Sequence, residues 1–179
     1  MNGKLLGLLK MSLYTLRSGR RIRFGGLPFM EGSSRIKLLQ GTARFGSGFR
    51  MKPGAYCAIV NGGSLSVGTG VSINRNAMVI CHDSVTIGDH CSIAPNVLIY
   101  DHDHNFGPDG LSEGYHTTPV VIEENCWIGA GVIILRGAHV GKGSVIGAGC
   151  VVQGSIPPHS VVKSDRSLMI QPIGNNNKD

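Results

Sequence analysis

Between Val120 and Ile156 the chain repeats every six residues: VVIEEN, CWIGAG, VIILRG, AHVGKG, SVIGAG, CVVQGS. The third place of each six is aliphatic: Ile122, Ile128, Ile134, Val140, Ile146 and Val152. The first place is small or aliphatic: Val120, Cys126, Val132, Ala138, Ser144 and Cys150. Two inward residues separated by one outward residue are what one face of a short strand presents. Glycine recurs at the fourth or sixth place, where a tight corner needs a permissive backbone. A strand and a corner every six residues make a coil with three sides per turn, and a sustained period of six is the mark of a parallel β-helix.

The same inward place can be followed upstream from about residue 41 as Phe45, Met51, Ile59, Val67, Ile73, Val79, Ile87, Ile93 and Ile99. Most steps are six. Those from 51 to 59, 59 to 67 and 79 to 87 are eight, which reads as two extra residues bulging at a corner. About five coils are expected between 41 and 156, a prism roughly 24 Å tall at about 4.8 Å per strand spacing. The chain therefore divides into a basic, partly helical arm (1–40), an all-β helix domain (41–162) and a tail (163–179). Within the arm, KLLGLLKMSLYTLR (4–17) suits a short amphipathic helix with Leu5, Leu9 and Leu16 on one face and Leu6 and Leu13 beside them. It could pack across the end of the coil or lie on a membrane surface. Residues 18–40 have no clear period and read as an irregular lead-in. Pro157–Pro158 should interrupt the hydrogen-bonded coil.

The count fails once. From Ile99 to Ile122 is 23 residues where six are expected, so about 17 residues leave the coil as a loop at about 100–118. Loops that long in a compact repeat are usually functional or disordered. This one carries Asp101, His102, Asp103, His104 and His116, which favours function.

Charge is concentrated at one end. Lys4, Lys10, Arg17, Arg20, Arg21 and Arg23 precede the first acid, Glu31; beyond it 11 basic residues balance 11 acidic ones, so the whole +6 excess lies in the arm. That excess is either a solvated tail or an attraction to an anionic partner: a membrane surface, a lipid diphosphate or another subunit. No nucleic-acid partner is expected. Four of the five cysteines (Cys57, Cys91, Cys126, Cys150) fall at the small inward place, Cys81 lies nearby, and no CxxC occurs. Free, buried thiols suit the reducing cytoplasm. Lys10 breaks the early leucine run, no cleavage site follows, and no run of 18 apolar residues exists, so neither a secretory leader nor a spanning helix is expected.

Two segments, INRNAMVICHDSVTIGDHCSIAPNVLIYDHDHNF and TPVVIEENCWIGAGVIILRGAHVGKGSVIGAGCVVQGSIPP, resemble the hexapeptide-repeat acyltransferases, which form left-handed parallel β-helices. The likeness spans about 41–162. It is strongest to the sugar and polysaccharide O-acetyltransferases, the branch of galactoside, maltose, nodulation and capsule enzymes. The handedness comes from the resemblance, because period alone does not give it and crossovers ordinarily favour the opposite hand. The resemblance implies acetyl transfer from acetyl-coenzyme A to a sugar or lipid-linked oligosaccharide hydroxyl, in a cytoplasmic homotrimer with sites between prisms. Apolar outward residues (Val121, Ile133, Val145, Val151) fit such a trimer. The basic arm adds a second expectation, peripheral contact with the inner face of the membrane.

Carried over position by position, the resemblance makes His104 the general base, Asn74 a contact to the acceptor hydroxyl, and Trp127 a neighbour of the thioester. The backbone at Gly129, Ala130 and Ala148 would carry the pantetheine arm. Lys163 and Arg166 are candidate phosphate contacts, although Gln153–Gly154 and KSDRSLM depart from the family pattern there. The chemistry needs little more. The thioester is already activated, and neutral imidazole is a suitable base for a hydroxyl near neutral pH. A carboxylate on the other ring nitrogen, Asp101 or Asp103, would fix the tautomer, and the residues alone do not choose between them. Asp101, Asp103 and His102 are also candidate substrate contacts. A backbone N–H beside Gly129 could face the oxyanion. His82, His90, His139 and His159 read as surface or corner residues. No resident metal is expected. The competing readings are a zinc enzyme of the γ-carbonic anhydrase kind using His82, His102 and His104, an antibiotic-modifying acetyltransferase, and a non-catalytic scaffold.

Overall fold

The computed structural model describes residues 3–165. Six complete coils are stacked, followed by two sides of a seventh. The first face runs through Ile22–Phe24, Thr42–Phe45, Ser64–Val67, Ser84–Ile87, Val120–Ile122, His139–Val140 and Ser155–Ile156. The second runs through Phe29–Met30, Arg50–Met51, Ser72–Ile73, Ser92–Ile93, Trp127–Ile128, Val145–Ile146 and Val161–Val162. The third runs through Arg35–Leu38, Tyr56–Ile59, Met78–Cys81, Leu98–Tyr100, Ile133–Ile134 and Val151–Val152. Neighbours on each face are parallel and in register, for example Val85 on Val120, Ile93 on Ile128 and Ile99 on Ile134.

The helix begins one coil earlier than the repeat can be followed. Residues 22–38, read above as an irregular lead-in, form a full coil with Ile22, Met30 and Ile36 buried, so there are six coils where about five were expected. Its period is masked because the early coils are longer. Ala43 stacks on Ile22 and Leu65 on Ala43, whereas later His139 stacks on Val121, a step of only 18. The eight-residue steps are also not corner bulges. They are strands lengthened by one pleat: Tyr56–Ile59 buries both Cys57 and Ile59, and Met78–Cys81 buries both Val79 and Cys81. Longer coils enclose a wider core. There Phe45 packs between Phe24 (centroids 5.2 Å) and Phe49 (4.6 Å), beside Met30 and Met51. The later coils close over Val, Ile, Ala and Cys, with the buried Ser144 among them. Each aliphatic side chain taken fully from water contributes roughly 1.5–3 kcal/mol before its ordering entropy is counted.

The fourth and sixth places want glycine for different reasons. Gly131, at a sixth place, sits at φ 67 with open space around it. Gly129, at a fourth place, has ordinary backbone, but a Cβ there would lie 2.6 Å from the Ile146 carbonyl oxygen of the next coil. Pro157 and Pro158 do not end the coil. They occupy the corner before Val161–Val162, where the ladder needs no N–H from them.

The N-terminal helix, Gly3–Arg17, closes the open end of the first coil and so covers sheet edges that would otherwise invite another chain. It packs through Gly7, Lys10 and Tyr14. A Cβ at Gly7 would lie 1.9 Å from the Pro28 carbonyl oxygen, the Tyr14 hydroxyl accepts the Ile36 N–H at 3.0 Å, and Lys10 Nζ donates to the carbonyls of Gly32 and Ser34. Leu6 is half-buried, whereas Leu5, Leu8, Leu9, Leu13 and Leu16 remain exposed. Among the described residues no helix is long and apolar enough to cross a membrane. All five cysteines are free and buried. Burial pushes the thiols of Cys57, Cys81 and Cys91 up to about 12.

Candidate functional site

The residues that leave the coil after Tyr100 form a β-hairpin. His102–Gly107 pairs antiparallel with Gly110–Thr117, and Gly110 takes φ 100 at the Gly107-Pro108-Asp109-Gly110 turn. The register sets His104 opposite Tyr115 and Asp103 opposite His116. Strand alternation then separates the two sets of side chains. On one face Tyr115 makes ring contacts with His102 (5.3 Å) and His104 (4.8 Å). On the other, Asp103 turns to Arg136, its Oδ2 accepting from Nε at 2.5 Å.

Asp101 anchors this arrangement. Its carboxylate is fully buried and accepts the backbone N–H groups of His82 (2.9 Å) and Asp83 (2.8 Å), with His102 Nδ1 at 3.1 Å. His102 is thereby fixed and stacks on His82 at a centroid distance of 3.6 Å and 15° between planes. Tyr115 meets the edge of the same stack at 4.3 Å from His82. Burial, and the neighbouring His102 ring, lower the pKa of His82 below its ordinary value. Neither aspartate hydrogen-bonds His104; among the described residues no group does, and its ring is exposed beside Tyr115. The expected tautomer-fixing carboxylate is therefore missing within one chain. Asp101, being enclosed, supports the hairpin and cannot touch an acceptor. Asp103 faces away from His104 because an extended strand points neighbours oppositely.

The zinc reading also meets a geometric obstacle. Imidazole binds metal through lone pairs in the ring plane, and two rings stacked nearly parallel cannot aim those lone pairs at one ion. Among the described residues no group of three or more His, Cys, Asp or Glu is placed to hold a metal. His90 and His159 are exposed corner residues at φ 58 and 59, and His139 pairs with Glu123 at 2.9 Å.

The remaining candidates lie on a different edge, between the second and third faces. A backbone ladder links them. Asn74 N–H donates to Ile93, Ala94 to Ile128, Gly129 to Ile146 and Gly147 to Val162, each at 2.8–2.9 Å. Gly129–Ala130, Ala148 and Lys163 thus fall in line along this edge, with Asn74 two coils below Gly129. The Gly129 amide is consumed by the ladder, whereas among the described residues the amides of the exposed Ala130 and Ala148 make no backbone bond. Trp127 stands outward on the second face just before the edge, 55% exposed. Asn74 Oδ1 accepts its neighbour's N–H (Arg75, 2.8 Å), and its backbone is not the strained one; Asn76 carries φ 55 at that corner. Arg166 lies outside the described residues.

Residues 119–154 match the bacterial transferase hexapeptide (six repeats) family. A protein of Escherichia coli (strain K12), provisionally named a lipopolysaccharide biosynthesis O-acetyl transferase, WbbJ, is 30% identical over 150 residues, covering 77% of this chain and 76% of WbbJ. The chain belongs to the hexapeptide-repeat transferases. Galactoside O-acetyltransferase of Lactococcus lactis subsp. lactis (strain IL1403) is 39% identical over 107 residues, which is 59% of this hexapeptide-repeat transferase and 52% of the relative. Over the first curated relatives the chain spans about half to two thirds of their length. The fold is that of AntD, an N-acyltransferase of Bacillus cereus crystallised as a mutant with dTDP-4-amino-4,6-dideoxyglucose and coenzyme A. There the TM-score is 0.69 at 17% identity, covering 84% of this chain and 82% of AntD.

In this transferase the structure brings His102, His104 and the unanticipated Tyr115 together. It aligns Gly129, Ala130, Ala148 and Lys163, and it keeps these two groups on separate edges. Tyr115 and Arg136 carry no local signal, since each depends on a register. His82 could have been foreseen: Val79 and Ile99 occupy the same inward place on successive coils, which sets residue 82 beside residue 102.

Proposed function

We propose that the chain is an acetyl-coenzyme A-dependent O-acetyltransferase acting in the cytoplasm on a sugar hydroxyl of a cell-surface polysaccharide or its precursor. The observation that carries this reading is the His104 ring. It is held out on a hairpin braced by Asp101, His102 and Tyr115, and among the described residues it has no hydrogen-bond partner. The 76% coverage of a relative named for lipopolysaccharide O-acetyl transfer supports the substrate class.

In the proposed reaction the acceptor hydroxyl attacks the thioester carbonyl. His104 takes the hydroxyl proton as the new C–O bond forms, the C–S bond then breaks, and the imidazolium returns the proton to the departing thiolate. The glycine- and alanine-lined edge suits a pantetheine arm, because only backbone groups and small side chains meet it there. The open Ala130 amide is a better oxyanion donor than the ladder-bound Gly129 amide. Lys163 stands at the end of that edge, where a phosphate could meet it.

Base and donor edge of one chain are separated by the third face, so the working site joins the hairpin of one prism to the donor edge of the next, as in a trimer. Exposed Phe106 and Leu111 at the hairpin tip, with Trp127, Val151 and Val161 on the faces, are apolar surface that neighbouring prisms would cover. Asn74 on the neighbour could then hold the acceptor hydroxyl.

The test is thiol release from acetyl-coenzyme A with a panel of nucleotide sugars, free sugars and lipid-linked oligosaccharides. His104→Ala should lower turnover by about 10²–10⁴-fold with the assembly mass unchanged. Unchanged turnover would remove His104 as the base.

A further inference from the structure

The N-terminal helix has two faces with different fates. Gly7, Lys10 and Tyr14 press against the first coil, while Leu5, Leu8, Leu9, Leu13 and Leu16 are 52%, 45%, 54%, 43% and 83% exposed. At 3.6 residues per turn Leu5, Leu9 and Leu16 fall on the side opposite Gly7 and Tyr14, with Leu8 and Leu13 on the flanks. They look away from the end of the prism. A helix that had to bury leucines to hold its place would turn them inward; this one is held by a glycine, a tyrosine hydroxyl and a lysine instead.

Cationic groups surround that apolar face. Arg20, Arg21 and Arg23 follow the helix directly, and Arg44 of the next coil joins them around one open cleft. A shallow groove lined by Met11, Leu16, Ile22 and Phe24 adjoins it and shares Arg20 and Arg23. Among the described residues none of these four arginines is paired with a carboxylate. The helix itself has no acid in its first turn, and no acidic residue precedes Glu31. An amphipathic helix with leucines on one face and unpaired arginines beside it matches an interface in which acyl chains lie next to anionic phosphate.

We infer that this end of the prism is a docking surface for an anionic lipid bilayer, the leucine face entering the acyl boundary and Arg20, Arg21, Arg23 and Arg44 meeting lipid phosphates. The prism then stands on the membrane by its N-terminal end. The hairpin leaves the coil after the fourth turn, which, with the helix lying beneath the first coil, sets His104 on the order of 25 Å above the lipid surface. That height suits an acceptor sugar borne on a lipid carrier, a point that rests on the acyl-transfer reading; the docking surface itself does not.

The experiment is cosedimentation of the full chain with vesicles of phosphatidylcholine alone and of phosphatidylcholine with phosphatidylglycerol. The chain should bind the anionic vesicles and not the neutral ones, and should be released at high salt. Leu9→Ser/Leu13→Ser and, separately, Arg23→Glu/Arg44→Glu should each lower partition by about tenfold or more. All four side chains are exposed, so circular dichroism and soluble-acceptor thiol release should stay as in the parent. Equal partition onto both vesicle types overturns the proposal, as does unaltered partition of the leucine variant. A fall in assembly mass on leucine substitution overturns it too, by assigning the face to a second copy. Partition that persists in a chain with no thiol release would instead count against acyl transfer alone.

Discussion

Two edges bound the third face of the prism, and they are built differently. From Asn74 through Gly129 and Gly147 to Lys163 one edge is a column of backbone, with corners so close that a Cβ at Gly129 would sit 2.8 Å from the Ala148 nitrogen. The other edge opens at Asp101 and releases a hairpin whose value lies in side chains: two stacked histidines, a tyrosine across them and His104 at the rim. A regular coil can offer a ligand amides and smooth surface, but it has no room along its corners for a catalytic group. Such a group must be carried out of the repeat and then braced against it. The buried Asp101 carboxylate is that brace.

Removing the brace should have the largest effect. Asp101→Ala leaves the His82 and Asp83 N–H groups without acceptors, at about 1–3 kcal/mol each. We expect a clear fall in melting temperature, earlier proteolysis within 102–117, and turnover lost with it; a variant that melts like the parent would make Asp101 dispensable. The bare edge is tested by a pair of substitutions. Gly129→Ala forces backbone apart and should destabilise by on the order of 1–3 kcal/mol, with weaker acetyl-coenzyme A binding in calorimetry. Gly131→Ala faces open space and should lose only about 1 kcal/mol for its left-handed backbone. Equal losses would mean that close approach does not govern this edge.

The smallest effect concerns His82. Its folded pKa lies below the ordinary value near 6.5 through burial and the adjacent His102. Between that lowered value and 6.5 the unfolded chain binds more protons than the folded one, so stability falls as pH drops through this window and is level above it. His82→Gln should flatten the acid side of the melting-temperature profile. A slope as steep as the parent's would assign the acid sensitivity elsewhere.

The regular half of this comparison was legible in the sequence, because Ile122 to Val152 repeat an inward residue every six and nothing competes with that spacing. The first coil was not, since within 22–38 the strand Arg35–Leu38 is a pleat longer than its two-residue counterparts in the regular half, which dilutes the period. In the hairpin, the clustering of Asp and His marked the place; residue 82 follows from the coil register once the stacking is assigned, but Arg136 and Tyr115 do not. Asp103 meets Arg136 and Asp101 meets His82 across 33 and 19 residues, distances set by coil stacking. Leu5, Leu9, Leu13 and Leu16 are exposed together while Leu6, expected beside them, is half-buried, and the side that packs is chosen by Gly7 and Tyr14, whose close contacts exist only in three dimensions.

The five enclosed thiols are spread along the axis, with Cys57 in the second coil and Cys81, Cys91, Cys126 and Cys150 in the third to the sixth. In a stacked repeat each unit is stabilised chiefly by its neighbours, so opening can begin at one end and travel. A thiol held near a pKa of about 12, as Cys57, Cys81 and Cys91 are, is inert to alkylation until its own coil opens. The natural chain therefore carries a built-in ruler. The order in which the five cysteines take up an alkylating reagent under mild denaturant, read by peptide mass, reports which end of the prism unzips first.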